Sequence, residues 1–173
     1  MKEEELTDVQ KLELMMQLCE AVETLHNCTP PIIHRDIKPS NILITEDGIV
    51  KIIDFDASRR YKAEKNTSDT RLLGTIEYAA PEQFGYTQTD ERSDIYSLGV
   101  VFSEIKVENN SSFLKDWKHL IDVCTSFDPS NRYRTIPVLK KELAKCIRKA
   151  KRAFGICSRL AKTARTLLHM QRP

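Results

Sequence analysis

The sequence predicts a mainly α-helical fold that carries one small β-hairpin. Three observations predict it. Apolar residues recur at the helical period over 6–26 and again beyond residue 91, two β-branched runs flank Asp47-Gly48, and proline or glycine steps separate these stretches. The 173 residues suffice for one domain or a piece of a larger one. A content of 40% hydrophobic and 30% charged residues describes a globular chain and excludes a disordered, collagen-like or low-complexity one.

The first helix spans 6–26, with Leu6, Val9, Leu12, Met15, Leu18, Val22 and Leu25 near the helical period and Thr7/Gln10 as a capping pair. Asn27 and Pro30-Pro31 end it. Ile32-Ile33 is extended and leads into a loop at 34–41. ILIT (42–45) and IVKIIDF (49–55) then form the hairpin around Asp47-Gly48. Residues 56–80 lack periodicity and read as a long, exposed, mobile loop, a length that usually signals function or disorder. SDIYSLGVVFSEI (93–105) is apolar on most sides, as a buried central helix would be. Further helices follow at 113–126, 135–150 and 153–170, the last two separate or joined.

No apolar stretch reaches the 18 or so residues needed to span a bilayer, and the acidic start MKEEELTDVQ lacks the apolar core of a signal peptide. Cys19, Cys28, Cys124, Cys146 and Cys157 are odd in number and without a CxxC pair, so buried reduced thiols of a cytoplasmic protein are expected. The four histidines show no metal-ligand spacing. The formal charge of +2 hides an asymmetry: residues 138–173 carry 11 basic side chains and one acid, Glu142, whereas 1–137 carry 16 basic and 24 acidic ones. The expected organisation is a core at 1–137 and a basic helical tail at 138–173.

The chemistry sits in the loop HRDIKPSN (34–41). Asp36 and Asn41 stand five apart with Lys38 between them, and Asp54-Phe55 follows at the far end of the hairpin. Folding back of the hairpin brings Asp54 beside Asn41, giving two oxygen ligands for a hard cation such as Mg²⁺, which takes one or two protein oxygens plus phosphates and water. Asp36 and Lys38 stand next to them. Phosphoryl transfer needs little more than metal, positioning and a group that orients the attacking hydroxyl.

With these motifs in this order, H-R-D-x-x-x-x-N, then D-F, then Ala80-Pro81-Glu82, the chain resembles the C-terminal lobe of a serine/threonine protein kinase from about Leu6 to Tyr133. The resemblance implies a kinase-like C-lobe fold, with catalytic loop 34–41 and activation segment 54–82, that uses ATP and Mg²⁺ to phosphorylate protein Ser/Thr hydroxyls. It implies Asp36 as the group that orients or deprotonates the hydroxyl, and Lys38 as neutralising the transferred phosphate. It also implies Asn41 and Asp54 as Mg²⁺ ligands. Lys38-Pro39-Ser40 and Gly74-Thr75 resemble the Ser/Thr class, in which that threonine contacts the catalytic loop. Arg35 beside Asp36 resembles kinases switched by phosphorylation, here at Thr67, Ser68 or Thr70; the competing reading leaves those residues solvated and unmodified. Glu82 and Arg132 resemble the family's buried ion pair, and Asp94 and Gly99 the residues that brace the catalytic loop. His34 is expected as a packed core histidine. QTDERSDIYSLG and CTSFDPSNRY resemble bacterial members.

The chain departs from the family pattern in three places. Its 173 residues contain no G-x-G-x-x-G loop and no V-A-I-K lysine, so the hinge and N-lobe are expected to be missing, supplied by an upstream segment or by a partner. The usual D-F-G is Asp54-Phe55-Asp56, which trades glycine's freedom at positive φ either for a stiffer, solvent-facing residue or for a third carboxylate near the metal. Only residues 106–112 separate two helices between which the family places a further helix for docking. Phosphoryl transfer by this chain alone is therefore expected to be weak or absent. The alternative is a non-catalytic pseudokinase or scaffold that binds protein partners; a small-molecule phosphotransferase would share H-x-D…N, but Gly74-Thr75 and Ala80-Pro81-Glu82 speak against it.

The tail places Ala153/Phe154, Cys157, Leu160/Ala161, Ala164 and Leu167/Leu168 at helical spacing, with Arg159, Lys162 and Arg165 off that stripe. Such a helix can lie on an anionic membrane or in a partner groove, and the simpler reading packs it on the lobe. Nucleic-acid binding is disfavoured, because no aromatic platform accompanies the charge. The expected location is cytoplasmic, with the tail able to reach a membrane surface.

Overall fold

The computed structural model describes residues 6–60, 75–85, 89–108 and 113–170, with side chains through Ala153 apart from Arg60. Thr67, Ser68, Thr70, the side chains of the 154–168 stripe and most of the 106–112 connection thus lie outside the described residues.

Helix α1, Asp8–His26, begins where Thr7 and Gln10 form a reciprocal capping box. The Thr7 amide donates to Gln10 Oε1 at 2.9 Å, and the Gln10 amide donates to Thr7 Oγ1 at 3.3 Å. Its buried face carries Leu12, Leu18, Cys19 and Val22. Strand β1, Ile32–Ile33, leads through the 34–38 loop and a 3-10 turn, Pro39–Asn41, into β2, Ile42–Ile44. Antiparallel β3, Val50–Ile52, completes the hairpin with Ile42 opposite Ile52 and Ile44 opposite Val50. Gly48 closes the turn at φ +74, where a side chain would be strained. The Gln17 amide of α1 clamps the hairpin, donating to Gly48 O and accepting from the Val50 amide, each at 3.1 Å.

The stretch read as one exposed loop at 56–80 is tied down at both described ends. Arg59–Arg60 form β4, which pairs antiparallel with β1, and Ala79 and Ala80 are buried. A two-residue strand made of two arginines gives no apolar alternation, so nothing in the sequence announced it.

Helix α2, Glu91–Ser103, is capped by Asp90, whose carboxylate accepts the Arg92 amide at 2.8 Å. It runs through the core, burying Asp94, Ile95, Leu98, Val101 and Phe102. Helix α3, Leu114–Cys124, lays Trp117 against Phe102 with ring centroids 5.5 Å apart. Helix α4, Ile136–Met170, is one continuous helix where two were allowed for. Ile136, Leu139, Leu143, Cys146 and Ala150 belong to the common core. Lys140 pairs with Glu23 at 2.8 Å, Lys151 with Glu13 at 2.8 Å, and Lys149 with Asp116. The boundary expected after residue 137 falls in the first turn of α4, and the helix is core through Ala150. Burial pushes the Cys19 thiol up to about 12 and the Cys146 thiol to about 11, which leaves both unreactive near neutral pH. Among the described residues, no helix is long and apolar enough to cross a membrane.

The segment after residue 75 is anchored by Glu82, in the 3-10 turn Pro81–Phe84, and Arg132. The pair is bidentate, at 2.7 and 2.9 Å, and both residues are buried. Ser93 Oγ also donates to Glu82, while Arg132 donates to the carbonyls of Ser126, Arg92 and Phe127 and lies over the Tyr96 ring at 4.8 Å. Arg132→Ala would strand a buried carboxylate and three carbonyls, for an expected loss of about 3–5 kcal/mol in urea unfolding. Glu82→Gln keeps one acceptor and should lose less. A Cβ at Gly99 would stand 2.4 Å from Cys124 Cβ and 2.9 Å from Thr125 Cγ2. Gly99→Ala should therefore destabilise by about 1–3 kcal/mol despite alanine's higher helix propensity, and the same unfolding measurement checks it.

Candidate active site

The 34–41 loop is held from beneath by α2. Asp94, fully buried, accepts the His34 amide through Oδ2 at 2.9 Å and the Arg35 amide through Oδ1 at 2.8 Å. His26 Nε2, in the last turn of α1, lies 2.8 Å from Asp94 Oδ2. From the other side, Gln83 Nε2 donates to Arg35 O at 2.8 Å and its Oε1 accepts the Ala80 amide at 3.1 Å. These bonds hold Arg35 at φ +70, in a region where a non-glycine residue sits only when its surroundings determine it. His34 is fully buried, its ring edge-on to Phe55 with centroids 5.0 Å apart.

One residue beyond this brace, four side chains converge. Asp36 Oδ1 accepts from the Thr75 amide at 3.0 Å and from Thr75 Oγ1 at 3.1 Å. Lys38 Nζ lies 2.8 Å from Asp36 Oδ2 and donates to Thr75 Oγ1 at 2.7 Å. Asn41 Nδ2 donates to Asp36 O at 3.0 Å and to Asp36 Oδ2 at 3.1 Å. Burial pushes the Asp36 carboxyl up, but the Lys38 ammonium and the Thr75 donors outweigh it and hold the group below its usual range. Asp36 is thus a carboxylate near neutral pH, with its oxygens oriented by fixed donors.

Asp54 approaches through the hairpin. The Ile53 amide donates to Asn41 O at 3.0 Å, which sets the next residue, exposed Asp54, beside the end of the 34–41 loop. Asp54 sits at φ +65 and its Oδ1 accepts the Asp56 amide at 3.3 Å. Asp56 is exposed and does not take positive φ, so the strain expected from replacing glycine does not arise there; the left-handed residue of the turn is Asp54. Among the described residues the Asn41 side chain donates its hydrogen bonds through Nδ2, so Oδ1 is its atom that could hold a hard cation. Among the described residues, no three His, Cys, Asp or Glu side chains form a metal-holding group. A pair of oxygens from Asn41 and Asp54 suits a cation that takes its remaining ligands from phosphates and water, which fits Mg²⁺.

Arg35 is buried, and its guanidinium is pushed down from its usual pKa by burial and then by the charge of Arg59, with Asp94 opposing. The supporting residues His26, Gln83 and Gln17 were missed in the sequence. Each is a lone polar residue without a motif, and only the folded contacts give it a role.

Across residues 2–111, more than half of its length, the chain matches the family model for the protein kinase domain. It is 33% identical over 162 residues to wall-associated receptor kinase 1 of Arabidopsis thaliana, an alignment covering 90% of this chain and 22% of that protein. It is 37% identical over 120 residues to serine/threonine-protein kinase A of Synechocystis, covering 59% of this chain and 23% of that protein. The chain spans less than a quarter of the length of either curated relative. A brace from α2 under an H-R-D loop, a Lys–Asp–Thr–Asn cluster above it and a matching family model lead to one conclusion: the chain belongs to the protein kinase family.

Proposed function

We propose that this chain is the catalytic-loop side of a serine/threonine protein kinase, acting in phosphoryl transfer to protein hydroxyls. The observation that carries this reading is the convergence of Lys38, Thr75 and Asn41 on Asp36. Asp36 accepts the hydrogen bond of an incoming hydroxyl and fixes its direction of attack, a role of the general-base kind worth about 10²–10⁴ in rate. Its lowered pKa makes it an orienting acceptor first and a proton acceptor as the bond to phosphorus forms. Lys38 moves its positive charge toward the transferred group while staying tethered to Asp36 and Thr75. Asn41 and Asp54 would hold Mg²⁺, which supplies charge neutralisation across the phosphate oxygens when bound.

The chain's 173 residues contain neither a G-x-G-x-x-G loop nor a V-A-I-K lysine, so a separate N-lobe, upstream or on a partner, is assigned the nucleotide's other side. The hairpin supports that assignment: Leu43, Ile49, Ile53 and Phe55 are 44–51% exposed, an apolar surface suited to a covering lobe. The same missing motifs favour the second reading, a partner-binding scaffold without catalysis. Arg35 with Arg59 close by would receive a phosphate placed on Thr67, Ser68 or Thr70.

Mg-ATP and a generic protein substrate should give near-background transfer with the isolated chain and robust transfer once it is fused behind a kinase N-lobe. Asp36→Asn should cut the fused protein's rate by about 10²–10⁴, with Trp117 emission unchanged as the check on folding. An inactive fusion that binds no Mg-ATP in calorimetry would favour the scaffold. Lys38→Met removes the ammonium and leaves burial opposed by the Thr75 donors alone, so carboxyl NMR should show the Asp36 pKa rising. Because the folded value is depressed, the stability that Asp36 contributes is full above the ordinary carboxylate range and fades as pH falls through the folded value; the substitution should shrink that fade.

A further inference from the structure

We propose that the end of α4, from residue 156 to 170, is an anionic-membrane binding helix. The lobe-facing half of α4 sets the geometry. Lys140 pairs with Glu23 and Lys151 with Glu13, so α4 runs antiparallel to α1. On that register residue 156 comes level with the first turn of α1, which starts at Asp8. The helix continues to Met170, a further 20 Å or so at about 1.5 Å per residue.

At about 100° per residue, Cys157, Leu160, Ala161, Ala164, Leu167 and Leu168 are placed on one half of this segment. That half continues the face on which Leu139, Leu143, Cys146 and Ala150 are buried in the core. Arg159, Lys162 and Arg165 are placed on the opposite half. In sequence, the apolar stripe of α4 therefore continues beyond the level of Asp8, the first residue of α1.

Charge decides what fits it. Glu142 is the last acid in the chain, and nine Lys and Arg follow it. An apolar half backed by a cationic half matches the boundary of an anionic bilayer, where apolar residues enter the acyl region and cations meet the headgroups. An acidic protein groove would take the apolar residues but gives no role to cations placed on the side away from them.

The full chain should co-sediment with phosphatidylcholine vesicles containing phosphatidylserine and not with phosphatidylcholine alone, and raising salt from 0.1 to 0.5 M should release it. The triple variant R159E/K162E/R165E should bind about a hundredfold more weakly, whereas K115E/K118E/R134E, equal in charge change but outside the segment, should bind as the unaltered chain does. Trp117 emission reports that each variant is folded. No binding to anionic vesicles, equal binding to neutral ones, equal loss in the control variant, or self-association that blocks sedimentation with vesicles would each overturn the proposal. No nucleotide enters the measurement, so its outcome is independent of phosphoryl transfer.

Discussion

A single buried carboxylate organises this lobe. Asp94 has no solvent contact, and both of its oxygens are spent on the backbone of the 34–35 loop and on His26. An ion in that position is tolerable only because three donors surround it. The arrangement works in both directions. The donors make the buried charge affordable, and the charge makes their positions obligatory, since an amide turned away from it would leave both groups unsatisfied. α2 can therefore act as a rigid post: its capped N-terminus, buried faces and close approach to α3 at Gly99 fix Asp94, and Asp94 fixes the loop.

The strained residues follow from this post. Arg35 sits at φ +70 with its amide on Asp94 and its carbonyl on Gln83, held from below and from the side. Left-handed backbone at a non-glycine residue costs on the order of 1–3 kcal/mol, a sum that two short hydrogen bonds to charged or buried partners can offset. What the strain achieves is direction. It turns the chain so that His34 enters the core against Phe55 while Asp36, two residues on, faces Lys38 and Thr75. The Glu82–Arg132 pair does the equivalent work for the other wall, holding the turn from which Gln83 reaches back to Arg35.

Much of this was legible because it rests on local rules. The start of α1 was readable from Thr7 and Gln10, and the hairpin from Asp47-Gly48 between β-branched runs, since capping and tight turns need particular residues at particular offsets. The H-R-D loop could be located because the motif is contiguous. The contacts that hold it could not, because His26, Gln83 and Gln17 act across 31 to 68 positions of sequence and carry no periodic signal. β4 was illegible for a different reason: strand pairing in two residues rests on backbone geometry, and arginine side chains disguise it. Along α4 charge and packing change at different places: the charge changes at residue 138, whereas packing continues to Ala150.

Asp56 shows how position within a turn outweighs residue type. Aspartate in place of glycine suggests a hinge deprived of positive φ, yet the left-handed residue is Asp54, and Asp56 needs only ordinary backbone. Its amide donates to Asp54 Oδ1 at 3.3 Å, a bond that any non-proline residue could make. The substitution therefore leaves the observed conformation intact. Its consequence lies in the conformations it discourages: a glycine would let the Phe55–Asp56 backbone explore left-handed states at little cost, whereas aspartate raises the energy of those states without touching the present one. By that reasoning the aspartate narrows the ensemble around the state in which Phe55 packs on His34 and Asp54 follows directly from the Ile53–Asn41 bond.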